Sequence, residues 1–461
     1  MKKTLIALLT LLLAAVLTVS LVACGSESDS KKPGKDGTQP TTKAEEPLPP
    51  KQDPVSQYTA EGFAPSTLKN QVSWEGLNQF KITKEIALLY QTDPQAAIAE
   101  ARQITVDFFN YAKTATWIPA EDWNFTHHSD GTSPDMMEGG QVYGGLPYVG
   151  LGAGPIYRLM DFIDPTTGVV DITRAGGENH ELQKMFGNQC AQGAYQGWCR
   201  FINSAKYQGT PAMTLKNKFI PLGDYTYNTD INKWSSGYNT KDVVAENTEQ
   251  TIYESYALMQ PGDGVVNYTT AGHVMMIVSD PVIVRRPDGT IDGKQSYVYR
   301  TDQHVQFEEY THPDGGDQCM AARFVNVKST FFGLWNSGYI PFTFQEWTGE
   351  DPIEIPEYKF HHEGDSIKLE EIYGKKITSN YHIYDIYATV YDAAGNEVLK
   401  IGTHSDYASE YELAFMREGT QAVIWGNIHS LRVGGKYTVT ISMQSGTGER
   451  PVLWEGKLIV E

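Results

Sequence analysis

Cysteine is scarce in this chain, with four residues in 461. Cys24 closes an apolar run, and Cys190, Cys199 and Cys319 are then too few for the disulfide framework that holds small secreted domains together. If Cys190 opens a helix, Cys199 follows about two and a half turns along it and cannot bridge back. A Cys199–Cys319 bridge remains open to the chain and would leave Cys190 as the odd thiol. Basic residues are also outnumbered: 37 Lys and Arg against 56 Asp and Glu give a formal net charge of -19. With no basic patch, a phosphate-neutralising nucleic-acid binder is excluded. No internal repeat is present. Metal-ligand spacing is lacking as well. His127-His128 with Asp130, and His312 with Asp314 and Asp317, read as solvated polar loops, so neither a metal nor a cofactor is expected.

The one long apolar run is at the start. Lys2 and Lys3 precede an almost wholly apolar stretch from Leu5 to Val22, which ends in Leu21-Val22-Ala23-Cys24. This resembles the lipobox of bacterial lipoproteins, and the resemblance implies cleavage before Cys24, its lipidation, and an extracytoplasmic, lipid-anchored protein. Residues 1–24 are thus expected to be a signal peptide. Residues 25–57 are Ser, Lys, Asp, Thr, Pro and Glu with almost no large apolar side chains. Such a segment cannot bury enough surface to offset its ordering entropy, and is expected to be a disordered, fairly extended tether. About 400 residues remain, enough for two domains or one large and one small.

Asp93-Pro94 offers a capping side chain and a proline suited to the first helical position. Ala97, Ala101, Ile104, Phe108, Tyr111 and Ala115 follow at helical spacing, predicting one long amphipathic helix. A Gly-rich stretch comes next, from Gly139 to Gly154. A second helix is expected from Cys190 to about Ala205, with Ala194, Tyr195, Trp198, Cys199 and Ile202 as its buried stripe. Tyr225 to Asp230 reads as a surface loop, and Gln260-Pro261-Gly262-Asp263 as a turn. Val265-Val266, His273 to Val278, Val282 to Val284 and Ser296 to Gln303 read as strands, with a hairpin turn at Arg286-Pro287-Asp288-Gly289. Residues 349–356 mark a boundary. Beyond it, short alternating strands at Ile383 to Val390, Val398 to Ile401, Tyr437 to Met443 and Leu453 to Val460 suggest a small β-sandwich over residues 357–461. The fold class expected is α+β.

Cys190 stands where a loop becomes a helix, and His273 where a polar loop becomes a buried strand. A thiol at a helix N-terminus meets unpaired N–H groups and the positive end of the helix dipole, both of which favour the thiolate. An imidazole beside it can take the proton and return it to a leaving amine, while nearby N–H groups can stabilise an oxyanion. Most cysteines without a disulfide are simply small core residues, so the pair gains weight only from its surroundings. These are Gly145-Leu146-Pro147-Tyr148 upstream, the Pro-Gly-Asp turn and Gly272-His273, and the polar strand Tyr299-Arg300-Thr301-Asp302-Gln303-His304. Asp302 is the chosen acid for orienting the imidazole, with Gln303 and His304 as competitors because a one-residue slip exchanges strand faces.

The ordered set resembles the NlpC-type cell-wall cysteine peptidases and related amidases, over roughly Ala96 to Gln303. The resemblance implies a papain-like domain over residues 58–350, followed by an immunoglobulin-like sandwich. It also implies a Cys190–His273–Asp302 machinery cleaving amide bonds in peptidoglycan peptides, with Tyr148 and Gln189 contacting substrate. Gln189-Cys190-Ala191-Gln192 departs from the family's Asp-Cys-Ser-Gly, so the implied chemistry is retained without strict γ-D-glutamyl specificity. The rival readings are a binding lipoprotein that keeps the fold without the chemistry, and an amidase or transferase acting on non-wall amides.

Overall fold

The computed structural model describes residues 62–126, 134–148, 155–174, 187–202, 219–269, 272–312, 315–412, 422–426 and 428–461. Cys24 with the whole signal and tether, His127, His128, Asp130, Asp314 and Ala205 lie outside the described residues. The architecture is α+β. Among the described residues no helix is long and apolar enough to cross a membrane.

The organising helix is α1 (Pro94–Thr114). Asp93 caps it, its carboxylate accepting from the Ala96 N–H at 3.1 Å, and Pro94 occupies the first turn, where its missing N–H costs nothing. Ala97, Ala101, Phe108, Phe109 and Ala112 are buried along one side. Beyond α1 lie α2 (Ile156–Leu159) and α3 (Cys190–Trp198). The larger sheet contains β1 (Thr116–Pro119), β2 (Tyr143–Gly144), β3 (Val169–Val170), β4 (Phe219–Pro221), β5 (Gly264–Asn267), β6 (His273–Ile277), β7 (Tyr297–Thr311), β8 (Gln318–Thr330) and β9 (Ile340–Phe344). Their spatial order is β3-β1-β2-β8-β7-β6-β5-β9-β4. The β1–β3 and β2–β8 pairs are parallel and the others antiparallel.

Two glycines let α3 lie close to its neighbours. A Cβ built on Gly193 would meet Lys113 Nζ at 2.8 Å, and one on Gly197 would meet Met276 Cε at 2.8 Å and Phe109 Cβ at 3.4 Å. The helix therefore rests against α1 and β6 with almost no spacing. It is shorter than its apolar pattern predicts, ending at Trp198 instead of near Ala205. There the chain tightens into short turns, and the buried Arg200 reaches the Tyr157 hydroxyl and the Gly446 carbonyl. Val282 to Val284 also falls short of a strand, since Val282 meets Tyr297 in a single bridge. Cys199 and Cys319 are buried and not bridged to one another.

The second sheet has β10 (Tyr358–Phe360), β11 (Ser366–Lys368), β12 (Lys376–Tyr391), β13 (Glu397–Glu412), β14 (Ala422–Gly426), β15 (Tyr437–Ser445) and β16 (Val452–Ile459). These join in one hydrogen-bonded sheet ordered β11-β16-β15-β12-β13-β14, with β10 also on β12. β12, 16 residues long and irregular in register between Thr378 and Asp385, pairs with three of them, β10, β13 and β15. Its apolar residues Ile383, Ile386, Ala388 and Val390 enter a core of their own. The extra residue between Ile383 and Asp385 is a bulge, which breaks the alternation of faces. Tyr384 packs into the larger core and Asp385 pairs with Arg158.

Residues 62–461 belong to one compact unit, in which buried ion pairs join the α2 segment to the second sheet. Arg158 Nε is 2.8 Å from Asp385 Oδ1, with the side chains 2% and 0% exposed. Lys400 Nζ is 2.6 Å from Asp161 Oδ1, and the Tyr387 hydroxyl donates to Asp161 Oδ2 at 2.8 Å. Removing one partner of such a pair strands a buried charge. Asp385→Ala should therefore lower stability by about 3–5 kcal/mol in urea unfolding, and Arg158→Met combined with Asp385→Leu should recover most of it. A double variant no more stable than the single would contradict this account.

Candidate functional site

Cys190 occupies the first position of α3. Gln189 caps the helix with extended backbone, and its own N–H donates to Gln192 Oε1 at 3.2 Å. The segment before it is fixed by the Asn188 N–H, which donates to the Pro147 carbonyl at 3.2 Å, and by a parallel bridge between Asn188 and Tyr148. The Gly-Leu-Pro-Tyr segment is itself held at both ends. The Trp117 indole donates to the Gly145 carbonyl at 2.7 Å, and Gln303 Nε2 donates to the Leu146 carbonyl at 2.9 Å. Tyr148 and Gln189 thus both flank the start of α3; the rest of the Gly-rich stretch, 149–154, lies outside the described residues.

His273 is the first residue of β6, reached through the Gln260–Asp263 turn and β5. Asp263 anchors that turn to α1. Arg102 Nη1 donates to Asp263 Oδ1 at 2.9 Å, Thr343 Oγ1 to the same oxygen at 2.6 Å, and the Gln260 N–H to Oδ2 at 2.8 Å. The turn's carboxylate is therefore spent on structure, and its effect is to hold β5 and β6 at a fixed height beside α3.

The thiol of Cys190, 4% exposed, lies close enough to His273 for the imidazole to act on its protonation. Its Sγ lies 3.7 Å from the carbonyl of Gly272, the residue before His273. His273 Nε2 is 2.7 Å from Asp302 Oδ2, which leaves Nδ1 as the ring nitrogen not engaged by the acid. The imidazole side chain remains 25% exposed while Asp302 is 2% exposed, so the acid end of the chain is dry and the base end reaches the surface. Of the three candidates on β7, Asp302 is the one hydrogen-bonded to His273. Gln303 points the other way, to Lys113 and Leu146, because successive strand residues face opposite sides. His304 packs edge-on against Phe324, with ring centres 4.6 Å apart.

Burial pushes the Cys190 thiol up. The hydrogen bond and charge of His273, with the N–H groups of Val274 and Ala191, outweigh it and leave the thiol below its ordinary range. Burial also opposes a charged His273, yet its hydrogen bonds to Asp302 and Cys190 raise the ring to about 9. Both shifts run toward a thiolate–imidazolium pair. Cys199 shows the opposite case: burial drives its thiol far up, and contacts with Tyr384 and Arg200 offset little of this.

Three neighbours of the pair escaped the sequence reading. Arg300 Nη1 lies 2.7 Å from Asp302 Oδ2, the same oxygen that faces His273; its signal was its place two residues before Asp302, on the same strand face. Tyr339 packs edge-on to His273, with ring centres 6.4 Å apart, and comes from a turn with no local pattern to mark it. Lys113 was hidden among the apolar residues of the buried side of α1, which it shares with Arg102. A β-bulge lies opposite Asp302, where Phe324 pairs with Asp302 and Val327 with Arg300, so β8 carries one extra residue. Within it Asn326 takes φ of 52°, a left-handed conformation few residues adopt. Bulges of this kind re-aim neighbouring side chains.

The loop readings for possible metal residues meet a different fate at Asp317. It accepts from the Lys69 and Asn70 N–H groups at 3.0 and 2.8 Å and from Thr116 Oγ1 at 2.8 Å, tying the start of the described chain to β8. No family model matches this chain, and no curated protein matches it.

The sign of the pH dependence follows from the raised imidazole. Its contribution to stability is complete below the ordinary value of 6.5 and is lost as pH rises through about 9. The lowered thiol of Cys190 acts in the opposite sense over this range, so the comparison is made without it: between about pH 7 and about pH 10, Cys190→Ala should lose more of its urea midpoint than Cys190→Ala combined with His273→Ala. Equal losses in the two proteins would sink the raised imidazole.

Proposed function

We propose that this protein is an extracytoplasmic cysteine hydrolase that cleaves amide bonds, with cell-wall peptides as its substrates. The observation that carries the reading is the meeting of Cys190, at a helix N-terminus and 3.7 Å from the Gly272 carbonyl, with His273, whose Nε2 is 2.7 Å from the buried Asp302. A structural cysteine would resemble Cys199, whose thiol is held neutral by burial. Cys190 instead has its thiolate favoured, the condition for nucleophilic attack. The order of helix, thiol, imidazole strand and acid strand supports a papain-like arrangement of the NlpC type. The second sheet supports an immunoglobulin-like module, and its buried ion pairs argue that it stabilises the hydrolase as well as spacing it from the membrane or binding wall polymer.

In this mechanism the Cys190 thiolate attacks the amide carbonyl carbon, and the carbonyl oxygen becomes an oxyanion. Collapse breaks the C–N bond, the His273 imidazolium gives its proton to the leaving nitrogen, and a thioester remains on Cys190. Neutral His273 then takes a proton from water. The hydroxide adds to the thioester carbonyl, and the thiolate leaves as the carboxylate product forms. Asp302, held between His273 and Arg300, fixes the ring tautomer and balances its charge throughout. No metal enters any step.

The test compares native protein with Cys190→Ala on purified wall peptides. New amino groups should appear only with the native protein, and Asp302→Asn should slow their release roughly a hundredfold. Native protein that releases no amine from wall peptides, yet forms a covalent adduct with a peptide-like electrophile at Cys190, would redirect the reading to other amides. Absence of both would overturn the hydrolase.

A further inference from the structure

Lys113 lies in the last turn of α1 and is only 2% exposed. Its ammonium donates to Asn188 Oδ1 at 3.2 Å and to Gln303 Oε1. It also lies 5.1 Å from the centre of the Phe109 ring. The two amides sit at telling places in the chain. Asn188 stands two residues before Cys190, and Gln303 directly follows Asp302. Each is tied onward, Asn188 Nδ2 to Gln196 Oε1 at 3.4 Å within α3 and Gln303 Nε2 to the Leu146 carbonyl at 2.9 Å. A single side chain therefore joins the approach to the thiol with the strand that carries the acid.

The ammonium also presses on α3 itself. A Cβ at Gly193, in the first turn of that helix, would stand 2.8 Å from Lys113 Nζ and 2.9 Å from Asn188 Oδ1. Burying a lysine costs free energy in desolvation and in side-chain order. Packing alone would be served at least as well by Met or Leu, which fill a similar space without a charge. What the charge adds is direction and field: a fixed donor for two amides, and a positive pole beneath the N-terminal turn that begins with Cys190. In that turn it adds to the field of the helix dipole, in surroundings of low dielectric.

We propose that Lys113 is a positioning residue for the Cys190–His273–Asp302 machinery, pinning the α3 N-terminus to β7 and favouring the thiolate through its buried positive charge. The proposal deepens the hydrolase reading and rests on it for its functional meaning. The other charged or titratable groups around the thiol are His273 on β6, Arg300, Asp302 and His304 on β7, and Tyr339 before β9. Lys113 acts through the Asn188 and Gln303 amides, so the pin is a lever distinct from the imidazole.

The test uses the full chain and follows alkylation of Cys190 by iodoacetamide across pH, with Cys190→Ala as the blank for Cys199 and Cys319. Lys113→Met should move the midpoint of thiol reactivity up by about one pH unit and slow alkylation at neutral pH about tenfold. Lys113→Arg, which keeps the charge, should recover most of the shift. Gly193→Ala keeps the lysine but pushes its ammonium aside, and should shift the midpoint in the same direction as Lys113→Met. A Lys113→Met protein with the native midpoint overturns the proposal, even if it is less stable, because a purely structural residue would change stability alone. If Lys113→Met does not fold, Gly193→Ala decides, and an unchanged midpoint there overturns it equally. Amide release by the native protein is measured in parallel. A shifted midpoint with no release by native protein defeats the hydrolase and leaves the effect of Lys113 on the thiol standing. Release with an unshifted midpoint does the reverse.

Discussion

The close seating of α3 is the constraint on which the rest of the structure depends. The helix carries the thiol at its first residue and is buried from Cys190 to Trp198. It can be buried so fully only because Gly193 and Gly197 let it approach Lys113, Phe109 and Met276 without side chains of its own in the way. That approach brings the helix N-terminus to the height at which β6 begins, so that Cys190 meets His273. It also brings the helix C-terminal half to the second sheet, where the Tyr195 hydroxyl lies 3.3 Å from His382 Nε2, while the Trp198 indole donates to the carbonyl of Gly262, in the turn before β5, at 2.7 Å. Position of the thiol and attachment of the second sheet are two ends of one packing arrangement.

The interior of this acidic protein is organised by cations. Arg102, Lys113, Arg158, Arg200 and Lys400 each approach a carboxylate, an amide, a carbonyl or an aromatic face in the interior. Such groups add little net stability compared with apolar packing, but each is costly to misplace. They therefore select one arrangement of helices and sheets over near alternatives. In the site the same logic acts on protonation: Arg300 and His273 share one oxygen of Asp302, and the thiol answers to the imidazole that the acid holds.

Much of this was legible in the chain. The Asp93-Pro94 cap and the apolar repeat after it specified α1, and alternation specified the later strands, because both signals come from neighbours along the backbone. The thiol, the imidazole and three adjoining candidates for the acid were visible as residue types in a recurring order. The face of β7 was not, since a bulge across the ladder and a pairing register decide it, and both depend on β8, more than a dozen residues away. Tyr339 and Lys113 were invisible for the same reason, while Arg300 stood in view two residues before Asp302 on the same strand. The end of α3 was misjudged because its apolar stripe continues past Trp198, while the buried reach of Arg200 toward Gly446 turns the chain aside.

Sequence by itself determined the α+β character, the caps and periods of the main elements, and the short list of reactive side chains. Only the tertiary structure decided that Asp302 faces His273 while Gln303 faces Lys113, that the second sheet shares buried ion pairs with the α2 segment, and that a lysine on a largely apolar helix face reaches both sides of the site. The division has one physical cause. Local propensity and period act over a few residues, whereas the protonation of a thiol and the pairing of buried charges depend on groups that only folding brings within a few ångströms of one another.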